Sequence, residues 1–348
     1  MLISRSVQDR FGSNMDGKSP EKLILVNREP NGVALVTINR PGSLNSLTRP
    51  MMVDLAQAFK RLDRDELVRV IILTGSGRSF CSGVDLTAAE DVFKGDVKDP
   101  ESDPVVQMEL CRKPIIGAIR GFAVTAGFEI ALACDILVAA KGSKFMDTHA
   151  RVIRIDSDIS LEFGLIWDIS FFPKRSTIIN IDFDNHFRIW VISETPNNNL
   201  IVRVIRIDSN IVSEFVWYRC RFGIFPSWGL SQKLSRVIGA NKAREVSLSA
   251  TPLTAEVAEK LGFVNHVVEE GELLKKSREI ADAIVKNNQD LVLRYKAVIN
   301  DGLKLDLGHA LSLEKERAHN YYNGMTKEQF KKMQEFIAGR SSKKQSKL

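Results

Sequence analysis

The chain has 348 residues, 44% of them hydrophobic and 26% charged, with a formal net charge of +6, the balance of a soluble globular protein with room for a sizeable core. No apolar run reaches the roughly 18 residues of a membrane span, and the polar N-terminal residues lack the apolar stretch of a secretory signal. The lysines gather at the extreme C-terminus instead of forming a basic face interleaved with aromatics, which argues against nucleic-acid binding, and Cys81, Cys111, Cys134 and Cys220 form no CxxC pair, which points to reduced thiols in a reducing compartment.

Residues 1–20 are polar and read as a flexible arm. The stretch EKLILVNREPNGVALVTINRP then gives two β-rich runs around a Pro-Asn-Gly turn, a hairpin signal. From Pro50 to Arg69 the positions Met52, Leu55, Ala56, Phe59 and Leu62 recur at helical spacing, and VRVIILTG follows as a buried strand ending in glycine, so a β-helix-β unit is predicted. PIIGAIRG, GFEIALACDI and ILVAA repeat the alternation as strand, buried helix and strand, which places the domain in the α/β class.

Residues 151–220 break this texture: they hold fourteen isoleucines, three of the four tryptophans, one lysine and no alanine. The heptapeptide RVIRIDS occurs in them twice, at Arg151–Ser157 and Arg203–Ser209, too few copies for a solenoid. Helical patterning resumes with SQKLSRVIGANKAREVSLSA and TAEVAEKLGFVNHVV, where Thr254 can cap a helix stopped by Gly262. Two amphipathic helices are predicted at about Glu272–Asn287 and Gln289–Asp301, before a charged stretch that runs to Ile337.

Two glycine-containing turns carry the chemistry. Acyl-thioester reactions need two backbone N–H donors converging on a developing oxyanion; one bend lies in Gly75–Asp85, and a second in GFAVTAGFE, where small residues precede a helix whose N-terminal amides favour negative charge. Either turn alone reads as an ordinary strand-to-helix loop.

In this order, with INRPGSLNSL before them, SFCSGVDL and IRGFAVTAGFEIALACDI resemble the enoyl-CoA hydratase/isomerase (crotonase) family, closest to its plant-type peroxisomal monofunctional hydratases. The resemblance covers most of residues 21–150 and resumes in FGIFPSWGLSQKLSRVIGANKAREVSLSA through 337. It implies a crotonase-like ββα superhelix core with a C-terminal helical oligomerisation region. It also implies an oxyanion hole from the backbone N–H groups of Val84 and Ala126, where many relatives have glycine at the second position, and an acid/base role for Glu129. A solvated helix charge, the alternative for a lone Glu, fits poorly with its apolar neighbours.

The second catalytic carboxylate of the family falls at His149, a departure that puts the water-adding step in question; imidazole can carry protons near neutral pH, and Asp147 is a possible substitute. A lone His beside a strand is as often a structural hydrogen bonder. Asp135 reads as structural. Lys296 can reach a coenzyme A phosphate by the resemblance, or be a solvated helix charge, and an excess of Lys and Arg suits that anionic carrier.

The expected organisation is an arm (1–20), a first core part (21–150), a foreign insertion (151–220), a second core part (221–270), a helical region (271–337) and a tail (338–348). The insertion reads as translated non-coding sequence, such as a retained intron or a gene-model error, with a lid or interaction module as the alternative. The implied activity is reversible hydration of 2-trans-enoyl-CoA in peroxisomal β-oxidation; the alternatives are isomerisation or another enolate reaction, and a non-catalytic acyl-CoA binder or inactive splice product. No metal or redox cofactor is implied, since coenzyme A arrives with the substrate. The expected assembly is a trimer or hexamer. Ser346, Lys347 and Leu348 spell SKL, the tripeptide read by the peroxisomal import receptor.

Overall fold

The computed structural model describes residues 22–85, 87, 99–150, 177–183, 187–194, 201–207 and 225–345. The expected N-terminal arm, the SKL tripeptide and most of the expected insertion lie outside them. The chain forms two compact units, one made of Met1–His149 with Phe225–Leu348 and the other of Ala150–Ile224.

The first unit opens with the hairpin, β1 (Ile24–Arg28) antiparallel to β2 (Val33–Ile38), and Gly32 takes φ +90° in the turn. Helix α1 (Arg49–Arg64) crosses back to β3 (Val70–Gly75), which lies parallel to β2. Helix α2 (Pro104–Leu110) is capped by Asp103, whose carboxylate accepts the Val105 and Val106 amides. After β4 (Ile115–Ile119) and β5 (Phe122–Val124) come the short α3 (Ala126–Leu132), β6 (Ile136–Ala140) and β7 (Lys144–Met146).

In the second unit, β8 (Thr177–Phe183), β9 (Phe187–Glu194) and β10 (Ile201–Ile207) form an antiparallel sheet with β9 in the centre. The second RVIRIDS copy supplies part of β10; the first lies outside the described residues.

The chain returns to the first unit with α4 (Leu230–Ile238) and α5 (Ala240–Ser249). The sequence reads here as one helical stretch, but Gly239 at φ +82° divides it. Next come β11 (Leu253–Thr254), α6 (Ala255–Leu261) and β12 (His266–Val268). Thr254 accepts the Val257 amide and Gly262 stops α6 at φ +89°, as the cap signals predict. Four helices end the chain: α7 (Leu273–Val285), α8 (Gln289–Gly302), α9 (Leu307–Asn323) and α10 (Lys327–Gln345).

The main sheet has the order β1-β2-β3-β4-β6-β12, parallel from β2 onward, and β11-β7-β5 make a smaller sheet. Strand periodicity sorts the core into two faces. Val70 and Ile72 of β3 join Leu273 and Ala281 of α7, whereas Ile71 and Leu73 join Leu55 and Phe59 of α1. Covering both faces requires the continuous apolar run VIILTG, which an alternating pattern could not provide. Helices α8 and α9 bury no residue within the chain and expose Tyr295, Ile299 and Leu307.

Candidate active site

The first glycine turn is held by the INRPGSLNSL segment. Asn45 is fully buried at φ +59°, a left-handed conformation that Asn tolerates, and its Nδ2 donates to the carbonyls of Ser76 (2.9 Å) and Ser79 (2.7 Å). Its Oδ1 accepts the Arg40 amide at 2.8 Å, and the Arg40 guanidinium donates to the Asp85 carboxylate. Burial pushes the Asp85 carboxyl up, but hydrogen bonds from Thr87 and Arg40 outweigh it and hold the group below its ordinary value. Leu47 donates to the Gly83 carbonyl and accepts the Asp85 amide, both at 2.8 Å. In this parallel bridge the N–H of Val84, between the two, points away from Leu47.

The second turn is laced onto the first. Cys81 N donates to Phe122 O and Val124 N to Cys81 O, each at 3.0 Å. A Cβ on Gly127 would sit 2.3 Å from the Cys81 carbonyl oxygen, and one on Gly83 would sit 3.2 Å from Val124 O, so the glycines mark where the two backbones touch. Neither Val84 N nor Ala126 N donates to an acceptor among the described residues. Thr125, just before Ala126, is held at φ +51° and ψ −109°, a costly conformation for a β-branched residue. Its amide donates to Met146 O at 2.8 Å and its hydroxyl is hydrogen-bonded to that of Thr148.

Glu129 lies one turn along α3 and is 2% exposed. Its Oε1 accepts Trp228 N at 2.9 Å and Leu230 N at 3.4 Å, while Oε2 stands 3.8 Å from His149 Nε2. Burial pushes the Glu129 carboxyl above its ordinary value, against the pull of His149 and the two amides. His149, 6% exposed, places Nδ1 at 2.7 Å from Asp147 Oδ1. Burial acts to raise the Asp147 carboxyl, but hydrogen bonds from the His149 ring, Ser247 and the His149 amide together hold it below its ordinary value. Glu129, His149 and the two turns predicted from sequence thus meet in one unit, and Asp147, a candidate substitute for the second carboxylate, is bound to the imidazole.

Sequence reasoning missed the Trp228 and Leu230 amides and Ser247. The Leu230 amide had a signal: Gly229 precedes the helical pattern of α4, and the first amides of a helix have no partner within it. Lys296 differs from the reading as a solvated helix charge. Its side chain is 10% exposed, and Nζ donates to Asp135 Oδ2 (2.6 Å) and Lys113 O (2.8 Å), so it is an ion-paired residue and not a solvated helix charge. Asp135 also accepts the Ile115 amide at 2.7 Å, a structural role as the sequence suggests.

Solved structures share this architecture. An enoyl-CoA hydratase from Bacillus anthracis superposes with a TM-score of 0.64 at 24% identity, covering 91% of this chain and 97% of that one, which assigns the crotonase fold. The sequence profile described as enoyl-CoA hydratase/isomerase matches residues 28–158 and 205–344, and the chain belongs to that family. A probable peroxisomal enoyl-CoA hydratase 1 of Arabidopsis thaliana is 63% identical over 332 residues, 95% of this chain and 99% of the relative. A short-chain-enoyl-CoA hydratase of Clostridium acetobutylicum is 28% identical, with 82% and 84% covered.

Proposed function

We propose that the protein reversibly adds water across the double bond of a 2-trans-enoyl-CoA. The observation that carries this reading is the pair Glu129 and His149, buried with 3.8 Å between Oε2 and Nε2, in the same unit as the Val84 and Ala126 amides, which donate to no acceptor among the described residues. The Val84 and Ala126 N–H groups receive the thioester oxygen as it gains charge. Glu129 takes a proton from water as the water oxygen bonds to C3, and the imidazolium of His149 delivers a proton to C2 of the enolate. Passage of the proton from Glu129 to His149 restores both groups, so water is the net addition. Hydrating and isomerising crotonase reactions share the oxyanion hole, and an isomerase needs only one proton-carrying group. Hydration of crotonyl-CoA should therefore be lost in His149→Gln; persistence of hydration would remove His149 from the mechanism, and a faster 3-enoyl-CoA shift than hydration in the wild type would favour isomerisation.

Ser346, Lys347 and Leu348, together with the peroxisomal name of the Arabidopsis relative, support action in the peroxisome, in fatty-acid breakdown, after recognition by the import receptor. The exposed apolar residues of α8 and α9 support assembly through the C-terminal helices, as a trimer or pair of trimers. Residues 151–220 stand as an insertion foreign to the catalytic fold; the family profile leaving residues 159–204 unmatched supports this.

A further inference from the structure

We infer that Asp147 is the positioning residue of the site: it holds the Nδ1 proton of His149, so that Nε2 is the nitrogen presented to Glu129 and to substrate. This rests on the hydratase reading and specifies how a histidine does the work there. The placement is local and covalently constrained. Asp147 directly follows β7, and its Oδ1 accepts both the His149 amide (3.1 Å) and the ring Nδ1 (2.7 Å), closing a small loop around Thr148. The middle residue of that loop is tied to the second turn, because the Thr148 hydroxyl bonds to Thr125, the residue preceding Ala126. One three-residue segment therefore fixes the imidazole and braces the amide-bearing turn.

Among the described residues, the ionisable groups facing His149 are Asp147 from its own segment and Glu129 from α3. Ser247 on α5 also hydrogen-bonds the Asp147 carboxylate. Without a fixed acceptor at Nδ1 a neutral imidazole can carry its proton on either nitrogen. A proton resting on Nε2 after substrate protonation would stop that atom accepting the next one from Glu129. With Asp147 in place the Nδ1–H bond persists through the cycle, and only Nε2 gains and loses a proton.

The test uses the full chain and compares Asp147→Asn, Ser247→Ala and His149→Gln with wild type on crotonyl-CoA. Asparagine keeps the size but can donate as well as accept, so it permits the other tautomer. In Asp147→Asn kcat should fall about 10²-fold or more with KM nearly unchanged, a split that a merely structural residue would not give. Ser247→Ala should show the same changes at smaller size. Imidazole ¹⁵N NMR of the wild type should show neutral His149 protonated at Nδ1, a measurement that needs no variant to fold. A neutral ring protonated at Nε2, or Asp147→Asn with unchanged kcat while His149→Gln is inactive, would overturn the inference. An active His149→Gln would instead overturn the hydratase role assigned to His149, a distinguishable failure.

Discussion

Replacing Glu129 with glutamine separates proton transfer from geometry. The Oε1 position accepts the Trp228 and Leu230 amides at 2.9 and 3.4 Å, and the glutamine carbonyl can keep both bonds. At Oε2, which faces His149 Nε2, the amide group that replaces it cannot take a proton from water. Loss of general base catalysis should lower kcat by about 10²–10⁴, equal to about 2.7–5.4 kcal/mol of barrier, with KM little changed. Stability should move the other way. Because burial raises the folded-state carboxyl above its ordinary value of 4.5, its stabilising effect is complete below that value and is lost as pH rises through the folded value. Glutamine suffers no such loss, so the variant's Tm should gain on the wild type as pH rises above 4.5 and through the raised folded value. Alanine should differ from glutamine in stability, since it leaves the Trp228 amide unpaired at a cost of about 1–3 kcal/mol. The assays are steady-state hydration of crotonyl-CoA and thermal unfolding across pH. Wild-type turnover in Glu129→Gln would refute the catalytic role, and a Tm difference independent of pH would refute the burial account.

Gly127→Ala should cost about 1–3 kcal/mol and most of the activity, because its Cβ would meet the Cys81 carbonyl at 2.3 Å, where backbone must shift; Gly271→Ala, with nothing within 4 Å, is the matched control, and equal unfolding midpoints would count against the contact between the turns. Deleting residues 151–220 should raise kcat/KM on crotonyl-CoA at matched oligomeric state, since Ala150, where the second unit begins, directly follows His149 and displacement of about 1 Å can cost about a hundredfold; equal values would make the segment a tolerated module. A fluorescent protein carrying the last ten residues, SKL included, should become punctate with a peroxisomal marker, and a diffuse signal would oppose that localisation.

Local order along the chain was legible from residues alone. The Pro-Asn-Gly hairpin, the apolar stripe of α1, the Thr254 and Gly262 caps and the buried run of β3 are short-range signals, set by turn chemistry and by the periods of helix and strand. The motif order also led to Val84, Ala126, Glu129 and His149. What no reading along the chain could supply is which atoms face one another across long separations. Glu129 receives the amides of Trp228 and Leu230, 99 and 101 positions away, and Lys296 is bound to Asp135 at a separation of 161. The amphipathic pattern of α8 marks Lys296 as polar but is silent about its partner. His149 likewise reads as a lone histidine, and its chemistry follows only from having Asp147 on one ring nitrogen and Glu129 near the other. Sequence periodicity specifies the face a side chain occupies, whereas hydrogen-bond partners and protonation depend on distances of a few ångströms that exist only once the sheet, α3 and α4 have packed together.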